Sequence, residues 1–560
     1  LKRFFQIQLS EVIELSELEI HSEQLINYLQ CRTGFLIPRG QIDNVEYFGF
    51  SHLSFQEYFC AYHISNSFQD YEGDDKYRAI LYNTIKNPAW QEIWQLVFEE
   101  ISLTGRNRKV IEGSLDSVFE FLVFEESPNY IPMYAGFGLY ARILMNPAIK
   151  LSSTKRLVLK QKLARYFLKS DTEVFGDNGL VARLINDLLG ELSNFIAVVE
   201  GLESINFKGT GINRLDWLND LDGLKELNIN GLIDCTLFSN LTNLDKLGLN
   251  ELRGSEEYNL SEVTKLVNLN DLTLNVVEFQ KIPDFSNLKK LKRLSIDTAG
   301  LNDLNFLTNL MGLMYLDLSI ESLGDTAGLS SLHQLVHLDL SSTDISDISN
   351  LARLTMLENL DLSSTNVTDV RVVANFTSLK SLRLSNARVN DLGVISKLEK
   401  LEELVLTVGD VRSIDAIFNL KLLELLELDN VDGIDLGGLS NLSNLHTLKL
   451  SGSVFGDIDF IKGMSKLRHL ALTGDKIGGI SSIRCLKDLR ILQINGAEMI
   501  DLKPIEELTE LKVLSLRNTR CEDLSVLLTF SKLQMVLISK NLDGEVIEEL
   551  RSKNVDIHVG

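Results

Sequence analysis

The chain has 560 residues, 44% hydrophobic and 24% charged, with only 7 prolines and a formal net charge of −23. This composition supports a large buried core and excludes a disordered or collagen-like chain; no apolar run approaches the ~18 residues of a membrane-spanning helix. The acidic balance disfavours nucleic acid and anionic lipid as partners, because both need basic surface to displace counterions.

The chain opens Leu1-Lys2-Arg3, with Gln6, Gln8 and Glu11 where a secretion signal would place an apolar core, and reads as a piece of a longer protein. Cys31, Cys60, Cys235, Cys485 and Cys521 form no short pairs. Neither a disulfide framework nor a metal knuckle is written in that spacing, which fits a reducing cytoplasm.

Residues 48–61 carry the first informative string: Phe48-Gly49-Phe50-Ser51-His52-Leu53-Ser54-Phe55-Gln56-Glu57-Tyr58-Phe59-Cys60-Ala61. By periodicity Phe50 ends an extended segment, and Phe55, Phe59 and Tyr62 line one face of a helix starting after Ser51 or Ser54. The string closely resembles the end of the winged-helix domain of NACHT-type NTPases, the NLR-like sensors of innate immunity, although Cys60 stands where that family has a small residue. Leu25 to Pro38 is similar to the family's helix-then-wing approach, so residues 1–62 are expected to be the C-terminal part of a winged-helix domain. His52 matches the family's histidine near the phosphates of bound ADP. The resemblance therefore implies a nucleotide contact for His52 in the full-length protein, while its apolar neighbours alone favour an ordinary core imidazole. No GxxxxGK[ST] phosphate loop occurs. ADP or ATP and Mg are accordingly expected only on an upstream NACHT domain, with no cofactor in this chain.

Residues 63–197 are rich in helical spacing, as at Ala89 to Phe98 and Lys155 to Lys160. They are expected to form an all-α domain, similar to the second helical domain of the same sensors, whose last helix near Val181 to Phe195 covers the first repeat. The basic run Lys155 to Arg165 reads as a solvated helix face.

From Leu269 to Leu533, thirteen leucines recur every 22 residues without a slip, and three looser units at Leu202, Leu224 and Leu244 bring the total to sixteen. The units open L-x-x-L-x-L, as in Leu335-Val336-His337-Leu338-Asp339-Leu340, with Ile, Val or Phe replacing a later leucine in a few. Leu338 and Leu340 share one face of an extended segment, with His337, Asp339 and Ser341 on the other. Ile345, Ile348, Leu351 and Leu354 follow at threes, the pattern of a 3₁₀-like return. Spacing and opening resemble leucine-rich repeats of the short bacterial kind. The expected fold is thus an α/β leucine-rich-repeat solenoid, a horseshoe with a parallel sheet on its concave face, over 198–540. One unit cannot enclose its own apolar edge; stacking at ~4.8 Å per strand would give a ladder of roughly 75 Å.

Asp recurs in the return at Asp303, Asp325, Asp347, Asp369, Asp391, Asp435, Asp457, Asp501 and Asp523, with Ser413 and Gly479 in the remaining slots. These types accept hydrogen bonds from the free N–H groups opening a helical turn, so the nine carboxylates are expected to be structural. Thr343, Thr365, Ala387, Ser453, Ala497 and Thr519 stand where many such repeats carry Asn. Gly544 to Ser552 and Val555 to Val559 read as a helix and a final strand, a cap over 541–560.

No nucleophile–base pair, HExxH motif or metal-spaced His/Cys cluster occurs, and Cys521 falls in the apolar slot of Ile345, so no enzyme is expected here. The informative surface is the concave ladder. Its candidate ligand-binding residues are Arg293, Asp297, Tyr315, Asp317, His337, Asp339, Asn359, Asp361 and Arg383, with Asp317, Asp339 and Asp361 one strand apart. Leu-Asp-Leu-Ser is also a common way to write such a strand. The functional reading is an acidic stripe, flanked by Tyr315 and His337, that receives a basic protein segment. The combined resemblance implies the ligand-sensing, autoinhibitory C-terminal region of a bacterial NLR-like protein in antiviral defence. Its partners would be a foreign protein such as a phage product, its own upstream NACHT and effector domains, and further copies in an oligomer formed on activation. The alternatives are an intracellular leucine-rich-repeat scaffold and an internalin-like surface adhesin.

Overall fold

The computed structural model describes residues 260–539, apart from 278–281, 410 and 522, together with 544–559. Earlier in the chain it describes 36–42, 45–50, 93–99, 151–169, 201–207, 223–230, 240–252 and a few isolated positions. Two compact units are distinguished, Leu1–Asp220 and Leu221–Gly560.

In the first unit, β1 (Leu36–Ile42) and β2 (Val45–Phe50) form an antiparallel hairpin, Leu36 opposite Phe50 and Ile42 opposite Val45. The extended segment ends at Phe50, as the sequence spacing implies. His52 and the rest of the string to Cys60 lie outside the described residues, as does the helix expected at 181–195. Helix α1 (Ser153–Lys169) buries Leu159, Leu163 and Ala164 and packs against β3 (Ser204–Phe207). Its basic run is more than a solvated face. The Arg156 guanidinium donates to the carbonyls of Leu144, Asn146 and Ile149, tying down the segment before the helix. Guanidinium is the natural choice there because its fork of N–H groups serves several carbonyls at once.

The second unit is a single parallel ladder. It runs from β4 (Glu226–Asn230), β5 (Lys246–Leu252), β6 (Asp271–Val276), β7 (Arg293–Asp303), β8 (Tyr315–Asp325) and β9 (His337–Asp339) through β10 (Asn359–Asp361), β11 (Ser381–Leu384), β12 (Glu403–Thr407), β13 (Leu425–Asp429) and β14 (Thr447–Ser451). The ladder resumes after each intervening segment with β16 (His469–Thr473), β18 (Ile491–Asn495), β19 (Val513–Leu516), β20 (Met535–Ile538) and β21 (Asp556–Val559). The register keeps the 22-residue step: Leu338 pairs with Leu360 and Leu360 with Leu382. Leu338 and Leu340 are fully buried while His337, Asp339 and Ser341 remain half-exposed, as alternation requires. The return is a 3₁₀ turn in each regular unit, Ser349–Arg353 in this one, with Ile348, Leu351 and Leu354 inside. Helix α2 (Gly544–Ser552) and β21 end the sheet, β21 pairing with β20. Both elements of the expected cap are present.

Eight of the nine return aspartates accept the amide N–H two residues on, at 2.7–2.9 Å, as Asp347 does from Ser349. The ninth, Asp457, turns to the Gly479 amide of the next unit at 3.3 Å. In that unit the residue two on is itself acidic, Asp459, and repulsion disfavours a carboxylate folded over its neighbour. The unit with Asp415 in that place has the uncharged Ser413 as its cap, at 3.1 Å.

The turn leaving each strand needs a left-handed residue, which short polar side chains and glycine tolerate. Ser342, Ser364, Asn386, Asn430, Gly496 and Asn518 adopt it at φ between 55° and 85°, in multiples of 22 residues. Thr298 and Ile320 hold the same place in β7 and β8, and β-branched residues resist positive φ. There the strands run on for 11 residues and pair as far as Asp303 with Asp325, a departure from the short strand expected. At Gly474 a different solution appears. An added Cβ would lie 2.3 Å from the Gly452 carbonyl oxygen, so glycine alone lets these turns stack, and β15 (Val454–Phe455) pairs with β17 (Lys476–Ile477) beyond them.

Thr343 and Thr365 are buried and donate to the carbonyls of Leu340 and Leu362 at 2.7 Å. Thr519 reaches back a unit, donating to the Ile494 carbonyl at 2.8 Å and accepting from the Ala497 amide at 3.2 Å. Threonine thus supplies part of the bonding that Asn gives in other repeats. Cys521 bridges to Ile500, and burial pushes its thiol up to about 11, the behaviour of a packing residue.

Leu360 is 1% exposed between its two paired leucines. Leu360→Ala should cost about 2–5 kcal/mol in denaturant unfolding and Leu360→Asp considerably more. An unchanged midpoint for the Asp variant would contradict the register.

Candidate ligand-binding face

The exposed sheet face consists of three columns, each taking one residue per strand. Along the first, Asp271, Arg293, Tyr315, His337 and Asn359 are successive register partners. Arg293 Nε lies 3.4 Å from Asp271 Oδ2, its guanidinium carbon sits 4.1 Å over the Tyr315 ring, and Tyr315 and His337 stack at 4.2 Å with planes 4° apart. Strand spacing itself produces this stack: planar groups one strand apart fall near the contact distance of π faces, and a guanidinium over a tyrosine adds cation–π attraction. The sequence reading named Arg293, Tyr315 and His337 but missed Asp271, although the 22-residue register places it next in line.

The second column reads Ser295, Asp317, Asp339, Asp361 and Arg383. Asp317 accepts the Ser295 hydroxyl at 3.1 Å. Asp339 and Asp361 each commit one oxygen to the backbone, accepting the amides of Ser341 and Ser363 at 2.8 Å. The stripe is therefore partly structural, and fewer of its oxygens are open to a ligand than the sequence suggested. Arg383 turns to Glu403 in the next strand. In the third column Asp297 accepts from the Asn275 amide at 2.8 Å. All nine candidates thus share one face. Arg293, Tyr315 and His337 form a rigid stack, the three aspartates a row beside it, and Asp297 and Arg383 stand at the margins with partners of their own.

Burial sets the electrostatics. Desolvation, reinforced by the carboxylate of Asp339, holds Asp317 above the ordinary carboxylate range against the Ser295 hydrogen bond. Burial likewise raises Asp271, opposed by Arg293, and raises the Tyr315 phenol, helped by Asp317. His337 is pushed down by burial against the pull of Asp339, so the stack holds a neutral imidazole at neutral pH. Among the described residues no group of His, Cys, Asp or Glu could hold a metal ion, and no helix is long and apolar enough to cross a membrane.

The His337 shift fixes a pH dependence. A histidine whose folded pKa is depressed binds fewer protons folded than unfolded. It therefore contributes stability that is full above about pH 6.5 and is lost as pH falls through the folded value. The raised Asp317 acts oppositely at lower pH, its burial being less costly once it is protonated. Thermal unfolding between about pH 7 and 5 should show the melting temperature falling with acidification, with a shallower slope in His337→Asn. An identical slope in that variant would mean that His337 is not desolvated.

A leucine-rich-repeat protein of Leptospira interrogans is similar over 66% of this chain and 98% of its own, at 23% identity and a TM-score of 0.55. An internalin of Listeria monocytogenes is similar over 61% of this chain and 92% of its own, at 24% identity and a TM-score of 0.44. A plant peptide hormone receptor covers 58% of this chain and 61% of its own, at 18% identity and a TM-score of 0.39. No protein-family model and no curated protein matches the chain. The likeness to the Leptospira protein is one of architecture, and with the 22-residue ladder it makes this chain a leucine-rich-repeat solenoid.

Proposed function

We propose that the chain is the ligand-sensing region of an NLR-like NACHT protein, and that its sheet face binds a foreign protein carrying a basic segment. The observation that carries the binding reading is the Asp271–Arg293–Tyr315–His337 stack beside the row Asp317, Asp339 and Asp361. A planar, preorganised column next to carboxylates loses little conformational freedom on binding and attracts cations. The sensor reading rests on the Phe50-Ser51-His52 to Ala61 string, followed by helical spacing and then repeats. In this reading the chain performs no catalysis, and a cytoplasmic resting state with ADP on the upstream NACHT domain is autoinhibitory. Ligand capture favours an oligomer, because a ligand shifts an equilibrium only by binding one state better than the other.

Converting Asp317, Asp339 and Asp361 together to Asn keeps an oxygen that can accept the Ser341 and Ser363 amides while removing the charge. The triple variant should capture a basic protein ligand more slowly and with a flatter salt dependence, since rim charges steer over a Debye length of about 8 Å at physiological salt. Its melting temperature should be equal or slightly higher, as repulsion and the desolvation of Asp317 are relieved. Unchanged association and salt slope with full signalling would place the ligand elsewhere.

In the full-length protein, His52→Ala is expected to weaken ADP retention and raise ligand-independent activity. Normal ADP content with no activity would return His52 to a core role and leave an intracellular interaction scaffold as the better reading.

A further inference from the structure

The face changes character toward its C-terminal end, and no acidic stripe continues there. In the first column Ile491, Val513 and Met535 are successive register partners, all half-exposed. In the second column Leu537 follows Ser515, which the Asn495 side chain engages at 2.8 Å. Three strands, β18 to β20, thus present an aliphatic floor where the earlier strands present Asp, Tyr and His. Half-exposed aliphatic side chains in register remain unsatisfied by the fold itself, since the core leucines behind them already complete the interior.

Along the edge where the chain enters these strands stands a run of cations. Arg468, Arg490 and Lys512 are adjacent through the backbone ladder: the Arg490 amide donates to the Arg468 carbonyl and the Lys512 amide to the Arg490 carbonyl, each at 2.8 Å. His446 precedes them by the same bond, at 2.9 Å. At ~4.8 Å per strand, three like charges in a row repel one another and are a cost to the isolated fold. Among the described residues none of the three side chains has an ion-pair partner. Glu510 lies near enough to feel Arg490 and Lys512, but its carboxylate is held by Lys532. This positive edge stands out in a chain of net charge −23.

We propose that this edge and floor together dock an extended acidic, aliphatic segment of a partner protein, its carboxylates on Arg468, Arg490 and Lys512 and its apolar side chains on Ile491, Val513 and Met535. Charge complementarity selects the acid, and the floor selects a peptide over other polyanions. A single-stranded nucleic acid needs aromatic platforms for its bases, and the floor offers none. Three cations also supply too few phosphate contacts to hold a polyanion against the overall charge. The surface is separate from the Asp317 row and does not depend on the function proposed for it. A partner that engaged both would have to be basic at one end and acidic at the other, which fixes its direction along the ladder.

The test uses the full chain and three fluorescent probes: a short synthetic peptide alternating Glu and Leu, its scrambled-charge counterpart alternating Lys and Leu, and oligothymidylate. The Glu–Leu peptide should bind, with an affinity that falls as salt rises. The variant Arg468→Gln, Arg490→Gln, Lys512→Gln should weaken it about tenfold or more and flatten the salt dependence. Ile491→Thr with Val513→Thr, side chains that Thr447 shows the column accepts, should weaken it several-fold without altering the salt slope. Arg490→Gln alone, should the triple variant lose its fold, is expected to give an intermediate loss. Equal or tighter binding of oligothymidylate or of the Lys–Leu peptide, or Glu–Leu binding that ignores either set of substitutions, would overturn the proposal.

Discussion

Everything in the second unit follows from one constraint: a 22-residue unit has an apolar edge that it cannot enclose alone. Leu338, Leu340, Ile348, Leu351 and Leu354 are each at most 2% exposed, yet most of what covers them belongs to neighbouring units. Since burying a leucine contributes on the order of 2 kcal/mol, the unit reaches that gain only by matching the period of the units on both sides. The period, the strand register and the turn chemistry are three expressions of one requirement. The aspartate at the head of most returns belongs with them, because it satisfies an amide that the opening turn leaves without a backbone partner.

Requirements that repeat are legible in a sequence. The 22-residue leucines, the alternation around Leu338 and Leu340, the 3₁₀ return and the return aspartates are written many times over, and each copy supports the others. The terminal helix and strand were legible for a related reason, since a sheet edge has to be covered. Features that occur once or twice were harder to see. The long strands β7 and β8 depend on Thr298 and Ile320 declining a left-handed turn, and two residues in a row of sixteen units carry little statistical weight. Asp457 turns away because of a single neighbour, Asp459.

The face shows the same division. Register alone brought Arg293, Tyr315 and His337 together, but their stacking came from side-chain planes that no spacing encodes. Whether the acidic row is free charge or strand chemistry is not legible in the sequence, because alternation says which side a residue faces and not what it bonds to. Asp339 and Asp361 in fact turn back to amides two residues ahead, the same local habit that the return aspartates display. One residue type therefore closes the strand and decorates the surface, and its two uses cannot be separated by composition.

The uniform seam also bears on how such a protein changes over generations. From Leu269 to Leu533 the junctions between units share one register and aliphatic core positions, so a typical unit fits behind another, the paired long strands β7 and β8 and the stacked glycines Gly452 and Gly474 excepted. Unequal recombination within the gene would then add or delete a whole strand with its return and leave the join intact, whereas a loss of a few residues would shift a register that the entire ladder shares. Surface columns such as Asp271–Arg293–Tyr315–His337 would be lengthened, split or moved apart by these events without a single core substitution. Recognition in this architecture can be revised by counting units before any side chain is altered.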